Sequence, residues 1–189
     1  MAKAYRPLAV PKGIEFKVQT DQVTVKGKLG TLTIPVRTGL TVKVEPAGVS
    51  IDAAAGVERA HTGTLRAHIR NAVTGVADGY TKALEVRGMG YRVQKTKDGV
   101  QISCGYSHPV DVPAPAGVTF DVGQAPDPDD AKIQMSIITV KGIDRHAVGK
   151  VAAEIRAIKP PDCYQGKGIR YQGERVVKKA GKRAAGTQA

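Results

Sequence analysis

The residues best suited to do chemistry lie in one short stretch, PPDCYQGKGIRY at 160–171. Tyr164 and Tyr171 bracket a Gly166-Lys167-Gly168 turn and Arg170. A tyrosine ring stacks on an unpaired base or a ribose, Lys and Arg engage phosphates, and glycine lets the backbone pack against a nucleic-acid surface. Aromatics interleaved with basics point to RNA more than to DNA, because RNA displays unstacked bases. A second spot, Gly88-Met89-Gly90, also allows close backbone approach, with Arg87 and Arg92 supplying charge and Tyr91 beside them. The remaining cations of the C-terminal segment, Arg175, Lys178, Lys179, Lys182 and Arg183, extend the candidate phosphate-binding set.

Other chemistry is searched for and not found. His61 and His68 are seven apart on one helical pattern, two turns or ~10 Å, too far to share a metal. His108 and His146 have no neighbouring ligand set, and Asp127, Asp129 and Asp130 lack the Gly and distal Glu of a calcium loop. Two cysteines, Cys104 and Cys163, exclude a disulfide framework and a four-Cys zinc site; Cys163, in a basic segment, reads as exposed and somewhat reactive but has no partner base. There is no G-x-S-x-G elbow and no H-E-x-x-H. Gly88-Met89-Gly90 lacks the third glycine and following helix of a dinucleotide fingerprint, and Gly166-Lys167-Gly168 lacks P-loop spacing. The expectation is no catalytic residue, no metal, no cofactor and no small-molecule substrate.

The elements that must position these residues come in two similar sets. Residues 49–73 and 135–159 match at a constant offset of 86 with 8 identities in 25, among them Ile51/Ile137, Arg59/Arg145, Ile69/Ile155 and Arg70/Arg156. Upstream, Lys17-Val18-Gln19 echoes Arg92-Val93-Gln94, and LTVKVE at 40–45 echoes VTFDVG at 118–123. The drifting offset is what loop insertions produce, the acidic stretch APDPDD at 125–130 being one. The chain therefore divides into modules 1–81 and 82–159 and a basic Gly-rich tail, 160–189.

In the first module the runs at 14–18, 22–27, 31–36, 40–45 and 48–52 are short, rich in Val, Ile and Thr, and punctuated by Gly and Pro. The period then changes: Leu65, Ile69, Val73 and Val76 recur as a helical face over about 57–79, as do Val148, Val151, Ile155 and Ile158 in the second module. Asp144 is the expected N-cap there, and Pro160-Pro161 the stop. The predicted class is α+β, two tandem modules, each an antiparallel sheet packed by one helix. Arg59, Arg66 and Arg70 form a stripe beside the apolar face of the first helix, expected to meet solvent or a secondary contact.

Composition agrees with a polyanion-binding role. The 189 residues carry 29 Lys+Arg against 17 Asp+Glu, a net +12. The last 30 residues hold seven of those cations and two acids, as much net charge as the first 80. So basic and Gly-rich a segment is expected to become ordered on its partner, the free chain being folded through about residue 159 and mobile beyond Arg170. With 41% hydrophobic residues, no Trp, no 18-residue apolar run and no apolar leader, the chain reads as soluble, intracellular and free of membrane. Two rival classes remain open. An RNA-modifying enzyme would need an acid or nucleophile in a cleft. A free-standing nucleic-acid chaperone would not require a shape-specific Gly-Lys-Gly turn.

At PDCYQGKGIRY the chain resembles the bacterial large-subunit ribosomal protein six family, whose C-terminal pattern runs Pro-acidic-x-Tyr-Lys-Gly-Lys-Gly-aliphatic-Arg-Tyr. ERVVKKAGK at 174–182 is similar to that family's ending, and VRGMGYRV at 86–93 to the opening of its second domain. Gln165 stands where the family usually has Lys, and the N-terminus MAKAYRPLAVP departs from the usual start. The resemblance implies a structural constituent of the large ribosomal subunit, in the cytoplasm, that binds large-subunit rRNA near the sarcin–ricin loop and the base of the factor-recruiting stalk. It implies neighbouring ribosomal proteins and, transiently, translation factors as partners, with the second domain and tail making most of the rRNA contact.

Overall fold

A computed structural model describes residues 7–11, 13–45, 48–54, 59–126, 134–179 and 181. The chain divides into two compact units, Met1–Tyr80 with Gly142–Val148, and Thr81–Lys141 with Gly149–Ala189.

In the first unit β1 (Glu15–Val18), β2 (Gln22–Lys26) and β3 (Thr31–Pro35) form an antiparallel meander, and β4 (Leu40–Glu45) pairs antiparallel with β5 (Gly48–Ala53) in a separate sheet. Alternation turns Val23 and Val25 of β2, and Leu40 and Val42 of β4, inward. Helix α1 (Arg59–Ala77) packs on β2, β3 and β5, so one helix covers both sheets. Its buried face is Thr62, Leu65, Ile69, Ala72 and Val76, a spacing of 3, 4, 3 and 4. Val73, expected on that face, packs at its half-buried margin.

The second unit opens on β6 (Tyr80–Arg87). It has a meander of β7 (Arg92–Thr96), β8 (Gly99–Ser103) and β9 (Val110–Pro113), then β10 (Val118–Pro126), β11 (Gln134–Gly142), α2 (Arg145–Ile158), which belongs to it from Gly149 on, and β12 (Gly168–Tyr171). Its larger sheet runs in the order β10-β11-β6-β12. Asp144 caps α2 as the sequence predicts: its carboxylate accepts from the amides of His146 at 2.9 Å and Ala147 at 3.4 Å. The helix ends at Ile158, before the two prolines.

Antiparallel strands with one helix in each half are the class read from the sequence; the strands of each unit divide between two sheets. The duplication is visible in the pairing. In the first unit Leu8, ahead of the meander, makes an antiparallel bridge to Val49 of β5. In the second, β6, also ahead of the meander, lies beside β11. Both helices open on the duplicated pair Arg59 and Arg145. Among the described residues, β12 has no counterpart in the first unit.

β12 overturns the expectation that the chain beyond 159 becomes ordered on its partner. It pairs antiparallel with β6, Ile169 opposite Val86 and Tyr171 opposite Leu84. Ile169 is fully buried. The amide of Ile169 donates to the carbonyl of Lys159 at 2.8 Å, folding 160–168 into a closed loop. Gly168 is required there: its φ is +141°, and a Cβ would lie 2.7 Å from the Pro160 carbonyl oxygen and the Pro161 Cα. Low average apolarity concealed this because one buried isoleucine, paired with a strand more than eighty residues away, supplies the anchor. Among the described residues no helix is long and apolar enough to cross a membrane.

Truncating the anchor, Ile169→Ala, is expected to cost about 2–5 kcal/mol. Denaturant unfolding of the full chain, with amide exchange at 168–171 as the local probe, checks this; unchanged stability would show β12 to be dispensable.

Candidate nucleic-acid interface

β6 and β12 set the geometry of the candidate interface. Residues two apart on a strand share a face, and directly paired residues across a ladder do too. Glu85 and Arg87 therefore share a face of β6, and Arg170, paired with Glu85, joins them. Glu85 Oε2 accepts from Arg87 Nε at 3.2 Å and from Arg170 Nε at 2.8 Å, and lies 3.1 Å from Arg87 Nη2. The side chains of Glu85 and Arg87 are 8% and 5% exposed, that of Arg170 14%. Arg87 faces Gly168 across the ladder, where no side chain competes for the space.

This burial changes the role of two residues that sequence reasoning assigned to phosphate binding. Arg87 lies inside the protein on a carboxylate, out of reach of a polymer phosphate. Arg170 spends its Nε on the same carboxylate. Charge is visible in a sequence, but the partner that consumes it is not.

The other face of the ladder holds Ile169 and Tyr171. The Tyr171 ring is half-buried, with Lys82 Nζ 4.9 Å and Arg156 Cζ 5.7 Å from its centroid. Those cations occupy the ring that the sequence offered to a base. Arg156, on α2, also holds Glu174, through Nη2 to Oε1 at 2.6 Å and Nε to Oε2 at 3.1 Å. Glu174 Oε2 in turn accepts from the Tyr171 amide at 3.0 Å. The paired Arg156 guanidinium, then the Tyr171 amide, hold the Glu174 carboxyl below its ordinary range.

Between these anchors the loop 162–167 is closed by its own bonds. The Asp162 amide donates to the Lys167 carbonyl at 2.8 Å, and the Gly166 amide to the Asp162 carbonyl at 2.9 Å. The Asp162 carboxylate accepts from the Gln165 amide at 3.0 Å. The following segment runs back beside the loop, the Lys179 amide donating to the Cys163 carbonyl at 2.7 Å. Gly166 is buried, and a Cβ on it would meet the stem of Lys178 at 2.9 Å. Tyr164, 57% exposed, and Lys167, Lys178 and Lys179 are thus gathered on one closed loop and its return segment, with Arg175 exposed a short way back. Cys163 is half-buried here, not the exposed thiol expected. Lys182 and Arg183 lie outside the described residues, as do Asp127, Asp129 and Asp130.

Gly88 makes room for the protein itself: a Cβ there would lie 2.8 Å from the Tyr91 ring, which is half-buried over it. Arg92 is exposed. A further aromatic feature went unread. Tyr106, 46% exposed, stacks with His108 at 6.4 Å, lies under Lys159 Nζ at 5.0 Å, and donates its hydroxyl to the Ile158 carbonyl at 2.9 Å. This pair adjoins the base of the 160–169 loop. The run GYSHP at 105–109, an aromatic and a histidine between Gly and Pro, was the available signal. Among the described residues no three His, Cys, Asp or Glu side chains cluster as a metal site.

A model of the family described as Ribosomal protein L6 matches residues 10–79 and 87–172, one stretch in each half of the duplication. The chain is 44% identical to the large ribosomal subunit protein uL6 of Koribacter versatilis over 95% of its own length and 96% of the relative's. It is 42% identical to the protein of that name from Alkalilimnicola ehrlichii, over 95% and 97%, and 40% identical to that from Rubrobacter xylanophilus, over 93% and 95%.

Two expected outcomes test the anchors. Glu85→Gln leaves two guanidinium groups sharing a neutral amide, and is expected to destabilise the second unit by about 3–5 kcal/mol, read by denaturant unfolding. The Glu174 pairing contributes its stabilisation above the ordinary glutamate pKa of about 4.3 and loses it as pH falls through the lowered folded value. Amide exchange at Tyr171 and Glu174, corrected for intrinsic rates, should therefore accelerate in acid, and Glu174→Gln should produce that loosening at neutral pH. Unaltered protection in Glu174→Gln would show that the pair does not hold the segment.

Proposed function

The chain belongs to the ribosomal protein L6 family, and from that premise we propose that it is a structural constituent of the large ribosomal subunit, binding large-subunit rRNA through its second unit. The observation that carries the reading is the closed loop at 162–167 with its return segment. It offers Tyr164 and the cations Lys167, Arg175, Lys178 and Lys179 on a backbone already fixed by β12. Lysine and arginine there neutralise phosphates and release counterions, while Tyr164 stacks on an unpaired base. Arg170 and Arg87 act one step removed, holding β12 in register through Glu85. Specificity comes from the shape of the folded RNA fitting a loop whose ordering cost is already met.

The finer placement is part of the proposal: the loop lies near the sarcin–ricin loop and the base of the factor-recruiting stalk, beside other large-subunit proteins and within reach of translation factors. The family resemblance of PDCYQGKGIRY and the exposure of Tyr164 support it. A hydroxyl-radical source tethered at Tyr164→Cys, with Cys163→Ser, is expected to cleave rRNA at the sarcin–ricin loop in assembled subunits. Cleavage confined elsewhere would move the site.

Binding to an rRNA fragment should weaken steeply with salt: for ~6 neutralised phosphates, going from about 50 to 200 mM lowers affinity on the order of a thousandfold. A flat dependence would remove the electrostatic mechanism. Lys167→Ala with Lys178→Ala should impair incorporation into large subunits in cells more than Arg66→Ala on α1; the reverse order would put the main interface on the first unit.

A further inference from the structure

The first unit carries a cleft of its own. It opens between β3, the β3–β4 connection and α1, with a volume of about 340 Å³. Its floor is the buried apolar trio Ile34, Leu40 and Leu65. Its rim is cationic and polar. Arg37 Nη1 lies 3.1 Å and 3.3 Å from the two ring nitrogens of His61, so a guanidinium and an imidazole are held against each other at the mouth. Exposed His68 stands two turns along α1 from His61, with Thr64 between them and Thr33 opposite on β3. The Thr64 hydroxyl donates its proton to the Ala60 carbonyl at 3.0 Å, so its lone pairs are left for a donor on a ligand. No carboxylate is among the described residues that line the cleft.

An apolar floor beneath a rim of Arg, His and hydroxyl groups, without an acid, suits a ligand with a flat apolar body and an attached anion. An acidic side chain would satisfy the rim and leave the floor empty. An RNA helix would not enter. A single unstacked nucleotide uses both, its base over the floor and its phosphate at the guanidinium, and the volume falls within the small-ligand range of about 300–1,000 Å³. Histidine and arginine planes are the surfaces on which splayed bases stack.

We propose that this cleft holds one extruded rRNA nucleotide, its base on Ile34, Leu40 and Leu65 and its phosphate on Arg37, giving the first unit its own RNA contact. The inference rests on the reading of the chain as an rRNA-binding protein, and the experiment separates the two. The free full-length protein is titrated with AMP, UMP, inorganic phosphate and an acetylated di-glutamate amide, followed by amide chemical shifts. The nucleotides are expected to shift Thr33, Arg37, His61, Thr64 and His68 saturably and at lower concentration than phosphate or the acidic peptide, with Arg37→Ala weakening them at least tenfold. In large subunits carrying the full chain, ultraviolet crosslinking should join the peptide containing His61 or His68 to rRNA. Arg37→Ala should lose that crosslink while still travelling with the particle. No saturable nucleotide shift, stronger shifts from the acidic peptide, or no crosslink from this peptide would each overturn the nucleotide site. Absence of the wild-type chain from large subunits would overturn the ribosomal reading instead, and the titration would still decide the cleft.

Discussion

One carboxylate oxygen, Glu85 Oε2, receives the guanidinium beside it on β6 and the guanidinium opposite it on β12, and the position of the chain beyond residue 159 follows from that junction. Charges taken out of water are tolerable only when paired in good geometry, and losing one partner leaves the others uncompensated. Strand geometry makes the arrangement selective. A one-residue slip of β12 would turn Arg170 to the opposite face and bring Ile169 out of the core. The triad and the buried isoleucine therefore enforce the same register from opposite faces of one short ladder. That register fixes where the loop containing Tyr164 and Lys167 begins and ends.

Strand positions were readable wherever alternation or Gly and Pro punctuation bounded a run. The runs expected at 22–27, 31–36 and 40–45 appear as Gln22–Lys26, Thr31–Pro35 and Leu40–Glu45. The helical face, the Asp144 cap and the duplication were readable because each is a local pattern. β12 was not, since four residues among glycines and basics carry no period and take their order from a distant strand. The same blindness hid the partner of Arg170, a carboxylate 85 positions away. It also hid the cleft in the first unit. Arg37 is 24 residues away from His61 and reaches it only through the fold.

The two halves diverge by addition. Leu8 beside β5 and β6 beside β11 are the same move made twice, but only the second is extended by another strand. One duplicated pair diverges too: Arg70 is exposed on α1, whereas Arg156 on α2 is half-buried and clamps Glu174. That inherited cation has become a fastener, and new cations in the appended segment, Lys167, Arg175, Lys178 and Lys179, take the outward role.

The strand order β10-β11-β6-β12 also sets a timetable during synthesis. β6 is made before α2 and β12 is made after it, so β6 waits with one edge unpaired while some eighty residues are added. The first unit has a wait of its own, because Ile143 packs against its core. Neither half can be finished in simple chain order. The basic loop therefore acquires its shape only when β12 docks, and a nascent chain halted before residue 168 presents RNA with scattered positive charge but no shaped loop to grip it.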